Sequence, residues 1–314
     1  MPDVVILSEN PEWLPPIESA LSGRGLSFRV EDLVSGAVDL DQDPAGSVYL
    51  NRMSASAHTR GHGGAIEATR AVLAWLESSG AAVVNGVRAF ELELSKVRQL
   101  AALKPHGVRT PETTVVVSDD ALIETAAAFA DRFGWFIVKP NRGGKGLGVA
   151  LHDSAASVRR AVEAGEIEWS PDGVMLVQRY INAPSRSIKR CEFVGGEFLY
   201  GIESDTSGGF ELCPAEGCGD AADVDPQAKF SLAGDVDLGL VEQIKAVLKA
   251  QAIDVAGVEY VTDSDGVRWV YDINCNTNYS PAVEAEHGFD GCGAVAAMVT
   301  KMVAGRMMCM TSCA

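Results

Sequence analysis

The chain has 314 residues, 47% of them hydrophobic, and a formal net charge of −17 from 43 acidic and 26 basic residues. That much apolar content exceeds what one small core needs and implies two or three packed lobes. The acidic balance excludes a nucleic-acid or anionic-membrane partner, since phosphate surfaces require a basic face, and points to small-molecule or cationic substrates.

The chain opens MPDVVILSENPEW, acidic and Pro-broken where a secretion signal is basic and then apolar, and no run of about eighteen apolar residues follows. A cytoplasmic protein is expected. Short apolar runs of strand length at 4–7 (VVIL), 47–50 (SVYL) and 81–86 (AAVVNG), with helical stretches between them, predict a small α/β lobe. Its best helix covers 65–79, with Ile66, Leu73 and Leu76 on one face and Gly80 as the stop. A second helix is predicted over 92–103, ending at Pro105 and Gly107.

After Thr110-Pro111 the pattern changes. TTVVV predicts a strand, Ser118 caps an Ala-rich helix over 119–133, and Gly134 ends it. A strand over 135–140 (WFIVKP), a glycine loop over 141–148 (NRGGKGLG), a strand over 149–152, a helix over 155–164 and a strand over 174–181 complete a β-α-β-loop-β-α-β lobe. The third lobe opens on two strands around Gly195-Gly196, a dipeptide suited to hairpins. An acidic, Gly-rich stretch over 205–236 follows, then a helix over 237–252, a hairpin around Ser264-Asp265-Gly266, and a closing helix over 292–303. Glu203, Asp205, Glu211, Glu216, Asp220, Asp223 and Asp225 read as a solvated acidic face. The seven cysteines include no CxxC pair, so reduced thiols are expected and a zinc site is rejected.

Two constellations carry chemistry. The glycines of 143–148 let backbone approach a ligand and offer successive N–H groups to phosphate oxygens, with Lys139 and Lys145 adding positive charge. The spacing fits neither a Walker loop nor a dinucleotide fingerprint, because a strand follows where a helix should begin. A plain glycine hairpin remains open for this segment alone. In the second constellation, Glu259 sits on one strand of a hairpin while Asp272, Asn274 and Asn276 alternate along and beyond the other. Residues two apart share a face, so Glu259, Asp272 and Asn274 could converge as hard oxygen ligands for Mg²⁺, or simply close a strand into a loop. A calcium-loop reading fails, because the required glycine is Thr277 and the twelfth position is Val283.

The ordered set, namely Lys96 opening a helix before G-V-R-T-P (107–111), F-I-V-K-P with its glycine loop, L-V-Q-R-Y-I (176–181), K-R-C-E-F-V-G-G (189–196), G-V-E-Y-V (257–261) and Y-D-I-N (271–274), resembles the ATP-grasp superfamily. It is closest in pattern to the glutathione synthetase and RimK-like carboxylate–amine ligases. The resemblance covers about 90–300 and implies an α/β protein with α+β lobes. These would be a Rossmann-like pre-ATP-grasp domain over 1–88, a central lobe with the glycine lid over 89–182, and a C-terminal lobe with the metal site over 183–314.

It implies further that Lys96, Lys139, Gly143, Gly144, Gly146 and Gly148 hold ATP phosphates, and that Gln178, Tyr180 and Ile181 form the adenine hinge. Arg190 and Lys145 take catalytic roles, and Glu259, Asp272 and Asn274 ligate Mg²⁺ or Mn²⁺. The hinge here reads Q-R-Y-I where an acidic residue often follows the glutamine, and the metal strand reads Asp-Ile-Asn where Glu-x-Asn is commoner.

The implied reaction joins a small carboxylate to an amine, amino acids or short peptides, through an acyl phosphate. The resemblance also implies a homo-oligomer, a dimer or tetramer. Alternatives are a phosphotransferase with a stable product and a nucleotide-binding protein without turnover. For substrate recognition, Arg52, Arg60 and Asn276 are the candidates, although the segment with His58, Arg60 and His62 reads first as a solvated loop.

Overall fold

The structure, a computed structural model, describes residues 1–144, 146–206 and 230–312, with side chains up to residue 306. The first lobe is a parallel sheet of β1 (Val4–Ser8), β2 (Phe28–Asp32), β3 (Val48–Asn51) and β4 (Ala82–Val84) in the order β2-β1-β3-β4. Every residue of β1 is buried, as a parallel strand covered on both faces demands. Val4 and Ile6 pack with Ile17 and Leu21 of α1 (Pro15–Gly23), while Val5 and Leu7 pack with Leu73 and Leu76 of α2 (Gly63–Ser78) on the opposite face. β2 was not foreseen, because FRVED is a mostly exposed, charge-bearing edge strand without an apolar run.

The helix predicted over 92–103 is two helices, α3 (Val87–Glu93) and α4 (Lys96–Leu103). Ser95 is extended, and its hydroxyl accepts the amide of Arg98, so it starts a new helix where the apolar periodicity alone runs through.

The second lobe is an antiparallel sheet of β5 (Thr113–Val116), β6 (Phe136–Pro140), β7 (Ala150–His152) and β8 (Met175–Arg179), ordered β5-β8-β6-β7. Helices α5 (Asp119–Phe133) and α6 (Ala155–Glu163) cover one face through Leu122, Phe129 and Val158 against Phe136, Val138 and Val177. Alternation then leaves Ile137, Lys139 and Gln178 on the uncovered face. Ser118 caps α5, and Gly134 at φ 75° ends it.

The third sheet holds β9 (Ser187–Val194), β10 (Glu197–Asp205), β11 (Phe230–Leu232), β12 (Val255–Thr262) and β13 (Arg268–Asn274), ordered β11-β10-β9-β12-β13. The β9–β10 hairpin turns on Gly195 and Gly196 at φ 62° and 78°, values that favour glycine at both positions. Helix α7 (Leu238–Ala250) packs under this sheet, and α8 (Pro281–His287) and α9 (Gly291–Ser312) complete the fold.

Two packings cross the boundaries expected at 88 and 182. Ala89, Leu92, Leu103 and Val108 belong to the core of the third sheet with Phe193 and Ile244, and Val295, Ala296 and Val299 of α9 pack with Val4 and Ile6 of the first. Asn85 then pins the first lobe to the third. At φ 54°, its side chain donates to the carbonyls of Val255 (2.8 Å) and Cys275 (2.7 Å) and accepts the amide of Asp254 (2.8 Å). No helix among the described residues is long and apolar enough to cross a membrane.

Candidate active site

A cleft of about 510 Å³ lies between the three lobes, lined by residues of each. Its floor on the second lobe comes from the uncovered face of that sheet. Lys139 projects there, only 4% exposed, with Nζ 5.6 Å from the centre of the Tyr271 ring. Burial, helped by repulsion from Lys96, pushes its ammonium down to about 7. Gln178, Tyr180 and Ile181 line the same region, and Gln178 is held by a bond from Nε2 to Thr113 Oγ1 (2.8 Å).

Lys96 enters from the start of α4. Its Nζ donates to the Gly143 carbonyl (3.3 Å) and lies 3.4 Å from Asp272 Oδ1, so one cation bridges the glycine loop and the acidic strand. The base of that loop is fixed by Asn141, whose Oδ1 accepts the Val97 amide (3.0 Å) and whose Nδ2 donates to Asp172 (2.7 Å).

Gly143, Gly144, Gly146 and Leu147 line the cleft. A Cβ on Gly144 would sit 3.3 Å from Ser56 Cβ, so the loop backbone comes close to the first lobe because it lacks a side chain there. Gly148, at φ 70°, lies outside the cleft lining and closes the turn against Pro140. Lys145 lies outside the described residues, as do Glu211, Glu216, Asp220, Asp223 and Asp225.

On the third lobe, Glu259 and Asp272 face each other directly across β12 and β13. Asn274 Nδ2 donates to Glu259 Oε1 (3.3 Å) and Tyr271 Oη to Glu259 Oε2 (3.1 Å). Burial, and then the like charge of Asp272, push the Glu259 carboxyl up to about 7. Among the described residues no three His, Cys, Asp or Glu side chains cluster as a metal centre, so a third oxygen would come from the Asn274 amide. Two opposed carboxylates and an amide are hard oxygen donors, and a divalent cation would relieve the repulsion that holds Glu259 up. The residues fit Mg²⁺.

Arg190, on β9 beside Glu259, is 7% exposed and anchored through Nε and Nη2. Its Nε donates to Glu192 Oε1 (2.6 Å), and Nη2 donates to Thr277 Oγ1 (2.8 Å) and the Asn278 carbonyl (2.7 Å), while Nη1 stands 3.9 Å from Glu259 Oε1. Gly257 makes room for this arrangement, since a Cβ there would lie 2.9 Å from Arg190 Nε and 3.0 Å from Glu192 Oε2.

The substrate candidates divide. Asn276 lines the cleft. Arg52 does not, because its guanidinium is turned to the Thr277 carbonyl (3.0 Å) and Asn278 Oδ1 (2.9 Å). Arg60 is also outside the lining. It is drawn onto the buried Glu9, which His62 contacts as well, and it stacks 4.7 Å over Trp13. The loop reading of 58–62 missed this buried carboxylate, which lies far off in sequence.

Glu192, Asn141 and Glu93 also escaped the sequence reading, and the contacts of Thr277 and Asn278 with Arg190 were not foreseen although their segment after β13 was expected to shape the substrate site. Glu192 carried a usable signal: it lies two residues from Arg190 on one strand face. Glu93, which accepts the amides of Cys275 and Ala55, carried none.

No protein-family model matches the chain. Over 146 residues, 44% of this chain and 44% of that protein, it is 27% identical to a tetrahydromethanopterin:alpha-L-glutamate ligase from Methanosarcina acetivorans, so less than half of that relative is spanned. It resembles the crystal structure of D-cycloserine synthetase DcsG with a TM-score of 0.69 and 19% identity, covering 96% of this chain and 99% of the other. It also resembles ATP-grasp ligase PsnB complexed with a minimal precursor, with a TM-score of 0.68, 17% identity and coverage of 96% and 99%. PsnB has been solved with Mg and ADP as well. The chain has the ATP-grasp fold.

Proposed function

We propose that the chain is an ATP-dependent carboxylate–amine ligase forming an amide bond, with amino acids or small peptides as substrates. One observation carries the reading. Two lysines, a glycine loop, an opposed acidic pair and an anchored arginine meet in one cleft. The names of the similar proteins, two ligases and a synthetase, support it.

A free carboxylate is a poor acylating agent because its leaving group would be oxide. In the first step a carboxylate oxygen attacks the γ-phosphorus of ATP, the bond from that phosphorus to the bridging oxygen breaks, and ADP leaves. In the second the amine nitrogen attacks the acyl carbon, the carbon–oxygen bond to phosphate breaks, and the nitrogen loses a proton as inorganic phosphate departs. Lys96 and Lys139 hold the phosphate chain, and the loop 143–148 contributes backbone N–H groups and keeps water from the acyl phosphate. Arg190 faces the oxyanion of the tetrahedral intermediate with a guanidinium that needs no rearrangement. Glu259, Asp272 and Asn274 would hold Mg²⁺, which supplies charge neutralisation at the phosphate oxygens when bound.

The test is ATP-dependent phosphate release over pairs of amino acids with hydroxylamine present. An acyl phosphate gives a hydroxamate of the activated acid. Phosphate transfer without hydroxamate would instead indicate a phosphotransferase with a stable product, and no phosphate transfer with any pair a binding protein.

The depressed Lys139 gives a second test. Below pH about 7 its ammonium is already charged, whereas at pH 8 it is largely neutral until polyphosphate arrives and stabilises the charged form. Mg²⁺-free ADP binding therefore takes up close to one proton per site at pH 8, and proton uptake grows from pH 6 to 8. Calorimetry in buffers of different ionisation enthalpy reads this directly, and Lys139→Met abolishes it. A buffer-independent heat at pH 8 in the unsubstituted protein would contradict the role of Lys139.

A further inference from the structure

Arg52 follows β3 of the first lobe, its amide bonded to the Leu7 carbonyl, and its side chain is half-buried with Nε shut off from solvent. A guanidinium partly withdrawn from water ordinarily takes a carboxylate partner, since removing charge from water is costly. Among the described residues no carboxylate forms an ion pair with Arg52. Its partners are instead oxygens of one short segment, the Thr277 carbonyl (3.0 Å) and Asn278 Oδ1 (2.9 Å), while its own carbonyl accepts Asn276 Nδ2 (2.9 Å). Among the described residues its Nε has no hydrogen-bond partner. That investment fixes 276–278 from the side of the first lobe.

The same segment holds Arg190 from the other side. Thr277 Oγ1 and the Asn278 carbonyl both accept Arg190 Nη2, and the Thr277 hydroxyl lies 2.9 Å from Glu192 Oε2, whose carboxylate also takes Arg190 Nε. A guanidinium on one lobe thus grips residues 277 and 278, and these set the position of a guanidinium on another.

We infer that Arg52 is a positioning residue, which orients Arg190 through Thr277 and Asn278 and so makes turnover depend on docking of the first lobe. This inference rests on the ligase reading for its consequence in turnover, but not for the contact chain itself. Arg52 does not touch substrate in this account, which separates it from a carboxylate-recognition role.

Arg52→Lys keeps the charge and loses the fork, and Asn278→Ala removes one acceptor of Arg52 while sparing the carbonyl that holds Arg190, so folding is protected in the second variant. The first readout is the Arg190 Nε–H signal in a nitrogen-15 spectrum of the full chain. Its exchange with water is expected to rise at least about tenfold in both variants, as local opening of the network predicts. Mg·ADP affinity stays within about twofold, and kcat for phosphate release falls at least about tenfold while the KM of the carboxylate moves less than about threefold.

In an Arg190→Lys background, Arg52→Lys has little further effect on kcat, because coupled residues are not additive. Unchanged Arg190 Nε–H exchange in both variants overturns the inference, and so does a raised carboxylate KM with kcat intact. Absence of phosphate release in the unsubstituted protein with every acid–amine pair would remove the ligase reading alone, and the Arg190 signal would still decide this one.

Discussion

Replacing Asp272 and Asn274 together by alanine is expected to give a folded protein whose Mg²⁺-dependent phosphate release falls at least about a thousandfold, roughly 4 kcal/mol of transition-state stabilisation. Folding survives because both side chains stand on the cleft wall, whereas Ile273 between them points into the core of the third sheet and is untouched. Loss of Asp272 also removes the like charge that helps raise Glu259, so the Glu259 carboxyl moves down and ionises more readily than before. The remaining carboxylate alone is a poor cation site. Lys96 loses its 3.4 Å ion pair with Asp272 and keeps the Gly143 carbonyl. The measurement is phosphate release against Mg²⁺ concentration, with ADP affinity measured with and without Mg²⁺ and a melting curve for integrity. ADP binding should become indifferent to Mg²⁺. A double variant that keeps its turnover, or its Mg²⁺-dependent ADP affinity, removes Glu259, Asp272 and Asn274 as the metal site.

The placement of these groups was partly legible before any coordinates. Strand alternation put Asp272 and Asn274 on one face, and the hairpin at Ser264-Asp265-Gly266 brought Glu259 opposite, because a two-residue period and a turn fix local geometry. Lys139 was picked out by its place before the glycine loop and by the family resemblance, and the structure puts it on the face of β6 that the helices leave uncovered. What periodicity cannot encode is which remote segments meet. Arg52 and Arg60 looked like ligands because cations at the carboxyl ends of parallel strands often are. Their actual partners, Thr277 and Asn278 for one and Glu9 for the other, lie some 225 and 51 residues away in sequence. The break between α3 and α4 was hidden for the opposite reason. Ser95 acts through one hydroxyl on its own helix start, a contact that an apolar repeat outvotes. α8 and the edge strand β11 are short elements set by tertiary docking, and their sequences carry little pattern of their own.

Arg190→Lys is expected to lower kcat by about a hundred- to a thousandfold, the range seen when one preorganised oxyanion donor is lost. The charge survives this substitution, so the effect isolates geometry. A guanidinium reaches Glu192, Thr277 and the Asn278 carbonyl at once and still presents Nη1 3.9 Å from Glu259, a spread that one ammonium cannot reproduce. On the proposed ligase reading the lost interaction strengthens only as charge develops on the acyl oxygen, so kcat and kcat/KM should fall together while Mg·ADP affinity changes little. Arg190→Ala behaves differently. It leaves Glu192, fully buried and with its carboxyl already pushed up by desolvation, without its cation, and destabilises the fold by about 3–5 kcal/mol at neutral pH.

That cost has a pH sign. Without Arg190 the folded-state carboxyl of Glu192 lies still higher above its unfolded value, so protonation relieves the penalty and the Ala variant regains stability as pH falls toward 5. Melting curves from pH 5 to 8 for the two variants, set beside their steady-state constants, separate the catalytic contribution of Arg190 from its structural one. A lysine variant that raises KM at constant kcat would place Arg190 on the bound substrate in its ground state and not on the developing oxyanion.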